Sequence, residues 1–298
     1  MPLAGFDDLF QHADALPGPV PVAVAGGADL TVLEGVRAAC ERRWIKPILS
    51  GREPEIRQIA MQQQVSLDGF TLINSDEPAT ASVAEVHAGR AQLLMKGQIA
   101  TPALMRAVLH AEAGLRAGRV ICQVVLMELR SGRRFLLADT GICIQPTLEQ
   151  KCDILKSAVE VARALGCARP RVALMAATET VSEAMPETLE AAELQRRAQA
   201  GDFGDCDVQG PLSFDLAITA DAADKKRIGG PVVGAADVML FPNLLAANLT
   251  VKAIMYTADC RFGGVLCGVR CPVVFMSRAD TTATRLHSLA LALKMLSP

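Results

Sequence analysis

Short apolar runs alternate with segments of helical periodicity along most of the chain, and this alternation constrains the fold more than any other feature. Most runs end near Gly, Ser or Asn, and apolar residues at helical spacing follow nearly all of them. A strand followed by a helix, repeated many times, is typical of parallel βαβ units, so the sequence predicts an α/β protein. The predicted strands are residues 20–25, 47–49, 70–73, 92–95, 171–176, 238–241 and 272–276.

One stretch breaks the alternation. Two apolar segments, 120–129 and 135–138, flank the pair Ser131-Gly132, which is typical of a tight turn. This pattern predicts an antiparallel hairpin, and we place a lobe boundary beside it. At 298 residues the chain exceeds the size at which one hydrophobic core usually stops growing, so two lobes or one large α/β domain are expected. The polar, glycine-containing tract 195–210 predicts a mobile surface loop.

The composition argues against nucleic-acid binding and against a membrane span. The chain has 30 basic and 32 acidic side chains, and neither sign gathers into a long block. Apolar residues make up 51% of the sequence, but Gly, Pro or a charge interrupts each run before the about 20 residues that a membrane helix needs. The first residues carry acidic groups and lack the basic start of a secretory signal. We therefore expect a cytoplasmic protein whose partner is a small molecule.

The cysteines predict neither a metal site nor a disulfide. Most of the nine lie inside apolar segments, as Cys122 and Cys267 do, where cysteine behaves as a small hydrophobic residue. The most closely spaced group, Cys260, Cys267 and Cys271, lacks the C-x-x-C pairs of a zinc ribbon. An odd number of cysteines in a cytosolic composition indicates reduced thiols.

Polar residues gather just after several predicted strands, which is where open α/β sheets bind ligands. Helices are predicted to begin at three of these points, and the positive dipole and N–H groups at their amino ends attract anions such as phosphate. Together these features predict an anion site. The candidate residues are Lys96, Thr101 and Arg106 after the strand at 92–95, Asn243, Asn248 and Lys252 after the strand at 238–241, and Ser277, Arg278 and Asp280 after the strand at 272–276.

Each candidate also has an ordinary structural interpretation. Lys96 can be a solvated charge, and Asp280 can simply cap a helix. Asn248 and Lys252 lie four residues apart on one helical face, a spacing compatible with solvent exposure or with a binding cleft. Arg278 is harder to explain structurally, because an arginine between a buried strand and a helix cap is costly unless it pairs or binds an anion.

Several common catalytic motifs are absent from the sequence. There is no G-x-x-x-x-G-K-[ST] phosphate loop and no G-x-S-x-G nucleophile elbow. The first strand is not followed by G-x-G-x-x-G, since Ala25-Gly26-Gly27-Ala28 stands there instead. A nucleoside triphosphatase, a serine hydrolase and an ordinary Rossmann dehydrogenase therefore lose their main support.

Five segments together resemble the phosphate acetyltransferase and phosphate butyryltransferase family. They follow the family's order over nearly the whole chain, from about Val20 to Leu293, so their combination is more specific than any one motif. The Ser-Arg-Ala-Asp-Thr context of Asp280 is similar to the butyryl-like branch. The segments are Lys96-Gly97 to Thr101 with Leu104-Met105-Arg106, Ala138-Asp139-Thr140-Gly141 to Pro146-Thr147, Gly210-Pro211 with Phe214-Asp215, Asp237 to Asn243 with Asn248 and Lys252, and Pro272 to Asp280.

The resemblance implies a fold similar to the isocitrate and isopropylmalate dehydrogenases. That fold is a two-lobed αβα sandwich with the active site in the cleft between the lobes, and the family usually forms homodimers. Residues 1–134 and 259–298 are then the first α/β lobe, and residues 135–258 are an inserted second α/β lobe.

The resemblance also implies an activity, the transfer of a short acyl group, acetyl or butyryl, between coenzyme A and inorganic phosphate. Acyl-CoA and phosphate are substrates in this reaction, and no permanently bound cofactor is implied. Ser277 resembles the family residue near the CoA thiol, Arg278 the one on the phosphate and the developing oxyanion, and Arg106 an arginine at the anion site. In the acetyl-specific branch a carboxylate handles the thiol proton at the position of Thr284 here, so Asp280 is the nearest carboxylate for that role.

Two other classes stay open at this point. One is a metal-dependent dehydrogenase of the same fold, which needs clustered Asp ligands and a nucleotide loop that the sequence does not show. The other is a non-catalytic relative that binds CoA or phosphate, for which Thr284 in place of a carboxylate is the only indication.

Overall fold

The computed structural model describes residues 2–275 and 280–296, which form a mixed α/β fold, and each predicted strand overlaps an observed one. Ser277 and Arg278 lie outside the described residues. In chain order the elements are α1 (Phe6–Asp14), β1 (Val20–Ala25), α2 (Leu30–Glu41), β2 (Ile45–Gly51), α3 (Glu53–Gln62), β3 (Thr71–Asn74), α4 (Pro78–His87), β4 (Leu93–Lys96), α5 (Thr101–Val108), β5 (Cys122–Leu129), β6 (Arg134–Ala138), α6 (Leu148–Ala164), β7 (Arg171–Met175), α7 (Pro186–Gln199), β8 (Asp207–Leu212), α8 (Phe214–Ile218), α9 (Ala220–Lys226), β9 (Val238–Leu240), α10 (Leu244–Thr257), β10 (Cys260–Cys267), β11 (Val273–Val274) and α11 (Thr282–Leu296).

The chain forms two compact units. The flanking unit consists of Phe6–Arg119 together with the chain from Gly263 onward. The central unit consists of Val120–Phe262 together with the first residues, up to Gly5, so it interrupts the flanking unit in sequence. Both strands of the hairpin β5–β6 belong to the central unit. The assignment of lobes with boundaries at 134/135 and 258/259 stays a prediction.

In the flanking unit the strands lie in the order β3-β2-β1-β4-β11-β10. Neighbouring strands are parallel except β10 and β11, which are antiparallel. Because β1, β4 and β11 are parallel neighbours, the residues that follow them meet at one edge of the sheet. Ala25 of β1 is in register with Lys96 of β4, so the ends of these two strands lie side by side.

The apolar alternation predicts this unit well because most of β1 is buried. The last four residues of β1, Val22 to Ala25, have no exposed surface. The helix α2 buries Val32, Leu33 and Val36 at helical spacing, and it packs against β2 and α11. Asp29 caps α2, since its carboxylate accepts a hydrogen bond from Val32 N at 3.1 Å.

In the central unit the strands lie in the order β5-β6-β9-β7-β8. The predicted antiparallel hairpin is confirmed, with Val124 of β5 opposite Ala138 of β6, and the other pairs are parallel. Phe135 and Leu137 of β6 pack in one apolar core with Met239 of β9. The loops after β6, β9 and β7 therefore start at one edge of this sheet.

The tract 195–210 is not the mobile loop that the sequence predicts. Its first residues complete α7, and its last residues belong to β8, which pairs with β7. β8 is an edge strand, and edge strands often carry polar side chains, so the polar sequence is compatible with a strand here. The side-chain oxygen of Gln195 accepts a hydrogen bond from Gly210 N at 2.9 Å. The strand β10 is not among the predicted strands, because its Gly263-Gly264 pair is typical of a turn.

Candidate active site

The loops after β1 and β4 are packed backbone against backbone. Gly97 N donates to Ala25 O at 2.8 Å, and Gln98 N donates to Gly26 O at 2.8 Å. A Cβ on Gly97 would lie 2.1 Å from Gly26 O, and the φ of +90° at Gly26 also favours glycine. These two glycines allow the ends of β1 and β4 to touch, which places Lys96 beside the loop that leads into α2.

Lys96 is buried, with 3% of its surface exposed. Its Nζ lies 3.5 Å from the carbonyl oxygen of Gly97. Burying an ammonium group away from water costs free energy unless neighbouring groups compensate for the lost hydration. The interpretation of Lys96 as a solvated charge is therefore wrong, and its burial at a strand end favours a role in holding an anion.

The structure places Thr101 and Arg106 on different sides of α5. Thr101 begins the helix, close to the end of β4, and Arg106 lies in its last turn. The two positions are about 140° apart around the helix axis. Leu104 and Val108 are buried and attach α5 to the unit, whereas Arg106 is exposed. Arg106 is thus accessible to a ligand, and Thr101 is the closer of the two to Lys96 along the chain.

Asp280 is not needed to cap α11. The hydroxyl of Thr281 accepts a hydrogen bond from Thr284 N at 3.2 Å, which is the usual geometry of a helix N-cap. The hydroxyls of Thr281 and Thr284 lie 3.1 Å apart and share a second hydrogen bond. Thr284, the position of the acetyl-branch carboxylate, is buried and belongs to this cap. Asp280, half-buried, directly precedes this cap.

Arg285 is a buried charged residue near the start of α11 that the sequence pattern does not predict. It is buried on α11 with 2% of its surface exposed, and its Nη2 donates to Thr31 Oγ1 at 3.0 Å. The Thr31 hydroxyl donates in turn to Asp29 Oδ1 at 2.7 Å, at the amino end of α2. Burial lowers the pKa of the Arg285 guanidinium, and the negative charges of Asp29 and Asp280 oppose that effect. The sequence contains one signal of this contact, which is Gly35. A glycine inside a helix often marks a place where another element packs closely, and here Arg285 packs against it.

In the central unit, Asp139 organises the loop that follows β6. Its buried carboxylate accepts hydrogen bonds from Gln123 N at 2.9 Å, Gly141 N at 3.0 Å and Cys143 N at 2.7 Å. The N–H of Ile142 donates to the same carboxylate at 3.2 Å. Four backbone donors on one carboxylate compensate for its burial and fix the path of the loop. Asp139 lies in one of the five family-like segments, but nothing in the sequence pattern predicts this role for its carboxylate.

Asn243 and Asn248 both bind backbone groups of the central unit. Asn243 caps α10, since its Oδ1 accepts from Ala246 N at 3.0 Å. Asn248 Nδ2 donates to Thr140 O at 3.0 Å and so ties α10 to the loop after β6. Lys252, one turn further along α10, is exposed. These contacts give both asparagines structural partners that the sequence pattern does not reveal.

A small ion-pair network joins the loops after β7 and β8. Lys226 Nζ lies 2.5 Å from Glu179 Oε1 and 3.0 Å from Asp215 Oδ2. Ser213 Oγ donates to Glu179 Oε1 at 2.9 Å. Hydrogen bonding from Ser213 and then from Lys226 lowers the pKa of the Asp215 carboxyl, so this carboxylate stays ionised near neutral pH. The network positions the Phe214-Asp215 segment.

The described residues provide neither a metal-binding cluster nor a helix suited to crossing a bilayer. Residues 2–275 and 280–296 contain no group of three or more His, Cys, Asp or Glu side chains arranged to hold a metal ion. Among the helices of these same residues, none combines the length and the apolar character that crossing a bilayer requires. All nine cysteines have free thiols.

Comparison with known proteins gives concordant matches. Residues 74–293 match the family model described as "Phosphate acetyl/butaryl transferase". A phosphate butyryltransferase from Clostridium acetobutylicum is 38% identical over 275 residues, covering 91% of each chain. A phosphate acetyltransferase from Thermotoga maritima is 37% identical over 274 residues, covering 91% of this chain and 93% of the relative. The crystal structure of a branched-chain phosphotransacylase from Enterococcus faecalis has a TM-score of 0.84 at 31% identity and covers 93% of this chain and 99% of that one.

Proposed function

Because the chain belongs to the phosphate acetyl/butyryl transferase family, we infer that it is a phosphate acyltransferase. It converts a short-chain acyl-CoA and inorganic phosphate into an acyl phosphate and CoA. The observation that carries this conclusion is the near-complete coverage of the chain by relatives of that activity, in sequence and in structure. The burial of Lys96 at a strand end agrees with an anionic substrate.

The reaction follows from the chemistry of the two substrates. An oxygen of phosphate attacks the thioester carbonyl carbon, a tetrahedral oxyanion forms, and the carbon–sulfur bond breaks to release the thiolate of CoA, which takes up a proton. The phosphate and the oxyanion must be held close together, so cationic and N–H donors are required. Holding phosphate against the bound thioester accelerates the reaction through orientation, and no covalent acyl-enzyme forms.

We propose Ser277, Arg278 and Asp280 as the catalytic residues. In this proposal Ser277 lies near the CoA thiol, and the planar guanidinium of Arg278 binds the phosphate and the oxyanion. Asp280 handles the thiol proton, a role supported by Thr281, which caps α11 without it. Because a thiolate is a good leaving group near neutral pH, this proton transfer contributes only about a hundredfold.

The substrate-binding residues belong to two groups. The first group lies after β4, where a buried ammonium and a helix start suit an anion. The second group lies at α10, where Asn243 and Asn248 also bind the backbone. The proposed substrate-binding residues are Lys96, Thr101, Arg106, Asn243, Asn248 and Lys252.

We further propose that the fold is that of the isocitrate and isopropylmalate dehydrogenases. Support comes from the two α/β units, in each of which most neighbouring strands are parallel and helices accompany the strands. We expect the enzyme in the cytoplasm, since acyl-CoA and phosphate are both water-soluble, and we expect it to work without a permanently bound cofactor.

We also propose a homodimer that forms through α10. Leu245, Leu249 and Tyr256 are 69%, 61% and 77% exposed, and their spacing places them on one face of the helix. Ile144, 76% exposed, lies beside this face, since Leu244 N donates to Ile144 O at 3.1 Å. Lys252 is exposed on the same face, so the surface is apolar around one charge, and exposed apolar clusters of this kind are typical of protein interfaces. Leu249→Glu should therefore give monomers in analytical ultracentrifugation, and a monomeric wild type would contradict the proposal.

The direct test follows the release of CoA from acetyl-, propionyl-, butyryl- and isobutyryl-CoA, with and without phosphate. We expect release that depends on phosphate, yields an acyl phosphate and persists with a metal chelator. Release without phosphate would indicate a thioesterase, and no release from any of the four would indicate a non-catalytic relative. Reduction of a nicotinamide cofactor, with a divalent metal present, would indicate the dehydrogenase alternative.

A further inference from the structure

Three neighbouring strands of the flanking unit end in one row of small or polar residues. Ser50 of β2 and Lys96 of β4 are both in register with Ala25 of β1, the strand between them. Side chains in register on parallel strands point to the same face of the sheet. Ser50 and Lys96 therefore share a face, and in this row only the methyl group of Ala25 lies between them. A glycine follows each of the three residues, namely Gly26, Gly51 and Gly97.

The side chain of Ser50 is unusual in this row. Ser50 has no exposed surface, and its Oγ makes no hydrogen bond to any of the described residues. Its carbonyl oxygen, by contrast, accepts from Gly26 N at 3.0 Å and from Gly27 N at 3.1 Å. A buried hydroxyl without a partner is costly, so a hydroxyl at this position requires an explanation such as a bound ligand.

Position distinguishes Ser50 from other buried hydroxyls that lack a partner among the described residues. Ser82 and Ser157 have this property too, but they lie inside α4 and α6. Thr140 has it after β6, but it directly follows the Asp139 carboxylate, which would repel an anion. Ser50 ends a parallel strand, where α/β sheets bind ligands, and it shares its row with a buried cation.

The donors at this end of the sheet suit an anion with several oxygens. The N–H groups of Gly26 and Gly97 are used by carbonyl groups of the row, so the side chains of Ser50 and Lys96 are the donors that face a ligand. Two strand spacings put the Cα atoms of these residues about 10 Å apart. A phosphoryl group can accept from a hydroxyl and an ammonium at once. Gln98, two residues after Lys96, is exposed, so the row lies close to the surface.

We propose that Ser50 is a further substrate-binding residue, whose hydroxyl donates a hydrogen bond to a phosphoryl oxygen of the anion at Lys96. This inference rests on the proposed function, because the identity of the anion comes from the substrates of that reaction. Inorganic phosphate and the phosphate groups of CoA present the same kind of oxygen, so the ligand is defined as a phosphoryl group. Ser50 binds this group and takes no part in bond breaking.

The test titrates the protein with inorganic phosphate and, separately, with CoA in isothermal titration calorimetry. Ser50→Ala removes only the hydroxyl, so the Kd for at least one of the two ligands should rise about tenfold, as expected for a lost hydrogen bond to a charged group. The ligand whose Kd rises identifies the source of the phosphoryl group. The melting temperature without ligand should stay unchanged or rise, because an unpartnered buried hydroxyl is removed.

Two further variants separate a shared site from a general effect on packing. Ser157→Ala removes an equally buried hydroxyl inside α6 and should leave both Kd values unchanged. Lys96→Met should weaken binding of the same ligand as Ser50→Ala does. Adding Ser50→Ala to Lys96→Met should raise that Kd further by less than about twofold, because the two residues bind one anion.

The proposal and the proposed function can fail independently. Unchanged Kd values in Ser50→Ala would overturn the proposal, as would an equal rise in Ser157→Ala or a full tenfold rise when Ser50→Ala is added to Lys96→Met. Wild-type protein that binds neither ligand would also overturn it. If the wild type instead binds a ligand through Ser50 but releases no CoA from any acyl-CoA in the presence of phosphate, the anion site is retained and the transferase activity is refuted.

Discussion

The two units use the polar residues after their strands in different ways. In the flanking unit Lys96 and Arg285 are charged and buried, with 3% and 2% of their surfaces exposed. In the central unit Asn243 and Asn248 are neutral, and their side chains bind backbone groups of neighbouring loops. The sequence pattern is the same in both units, namely a short apolar strand followed by residues with polar side chains.

The difference shows which polar residues indicate chemistry. A neutral amide beside a strand end lowers the free energy of the fold by pairing with the backbone. Burying an ammonium or guanidinium costs hydration free energy that the groups around it must return. Asp139, after β6 of the central unit, shows that backbone donors can compensate for a buried charge. For Lys96, at the end of β4, we expect a bound anion to contribute to that compensation.

The largest effect is expected for Arg278, the charged residue proposed to touch both anions. Arg278→Ala should fold normally and lose a hundredfold or more in rate, about the effect of removing one oxyanion donor. Arg278→Lys should also fail, because an ammonium cannot reproduce the planar fork. The measurement is the initial rate with phosphate and acyl-CoA, with Arg57→Ala on the surface as control. A variant that keeps more than about a tenth of the wild-type rate would remove Arg278 from the mechanism.

Asp280→Asn should lower the rate by about a hundredfold, since the amide has the same shape but cannot exchange a proton. The melting temperature should stay near the wild-type value, because Thr281 caps α11. Thr281→Val should show the opposite pattern and lower the free energy of unfolding by about 1 kcal/mol. If Asp280→Asn melts at a lower temperature and keeps its rate, Asp280 is structural. Its role would then be similar to that of Asn243 and Asn248 in the central unit.

The central unit should show its largest effect in stability. Asp139→Asn puts an amide NH₂ where backbone N–H groups donate, so we expect a loss of about 2 kcal/mol in the free energy of unfolding. Urea denaturation measures this loss, with Asp202→Asn on the surface as control. An unchanged unfolding midpoint would show that the loop after β6 does not depend on this carboxylate.

Lys96→Met should separate binding from stability in one variant. Removing a buried ammonium should leave the melting temperature unchanged or raise it, while the KM for phosphate rises about tenfold through the loss of a charged hydrogen bond. Lys46→Met, at an exposed lysine of β2, is the control and should change neither quantity. A lower melting temperature with an unchanged KM would make Lys96 a structural residue like Asn248.

The smallest effect concerns Asn243, which both caps α10 and is a proposed substrate ligand. Asn243→Asp keeps a capping oxygen but replaces the amide donor with a negative charge, so the KM for phosphate should rise about threefold at constant melting temperature. Asn243→Ala should instead lower the free energy of unfolding by about 1 kcal/mol. An unchanged KM in Asn243→Asp would show that Asn243 caps α10 and does not bind phosphate.

The strands were predictable because their burial is local in sequence. Residues 20–25 form an uninterrupted apolar run, and β1 has those same bounds. The strand β10 was missed because Gly263-Gly264 resembles a turn, although Gly263 is needed where its backbone approaches Ser288 N, 2.8 Å from the Cβ that it lacks. That contact joins residues far apart in the chain, and no local pattern encodes it.

The candidate site was predictable only in part for the same reason. Lys96 and Asp280 follow strands, so their position alone marked them. Arg285 lies inside a helix, where a charged residue usually faces water. In the sequence, only Gly35 of α2 indicates that another element packs closely there. The role of Asp139 depends on four N–H groups that converge only once the loop after β6 has folded.

The contact between Gly26 and Gly97 has a mechanical consequence. The two loops are joined by hydrogen bonds between peptide groups, from Gly97 N to Ala25 O and from Gln98 N to Gly26 O, and the Ile99 side chain lies against Gly26. A displacement of the loop after β4 on binding a substrate must therefore carry the loop after β1 with it. Asp29, which ends the loop after β1, is linked through Thr31 to Arg285, so we expect such a displacement to reach the start of α11 as well.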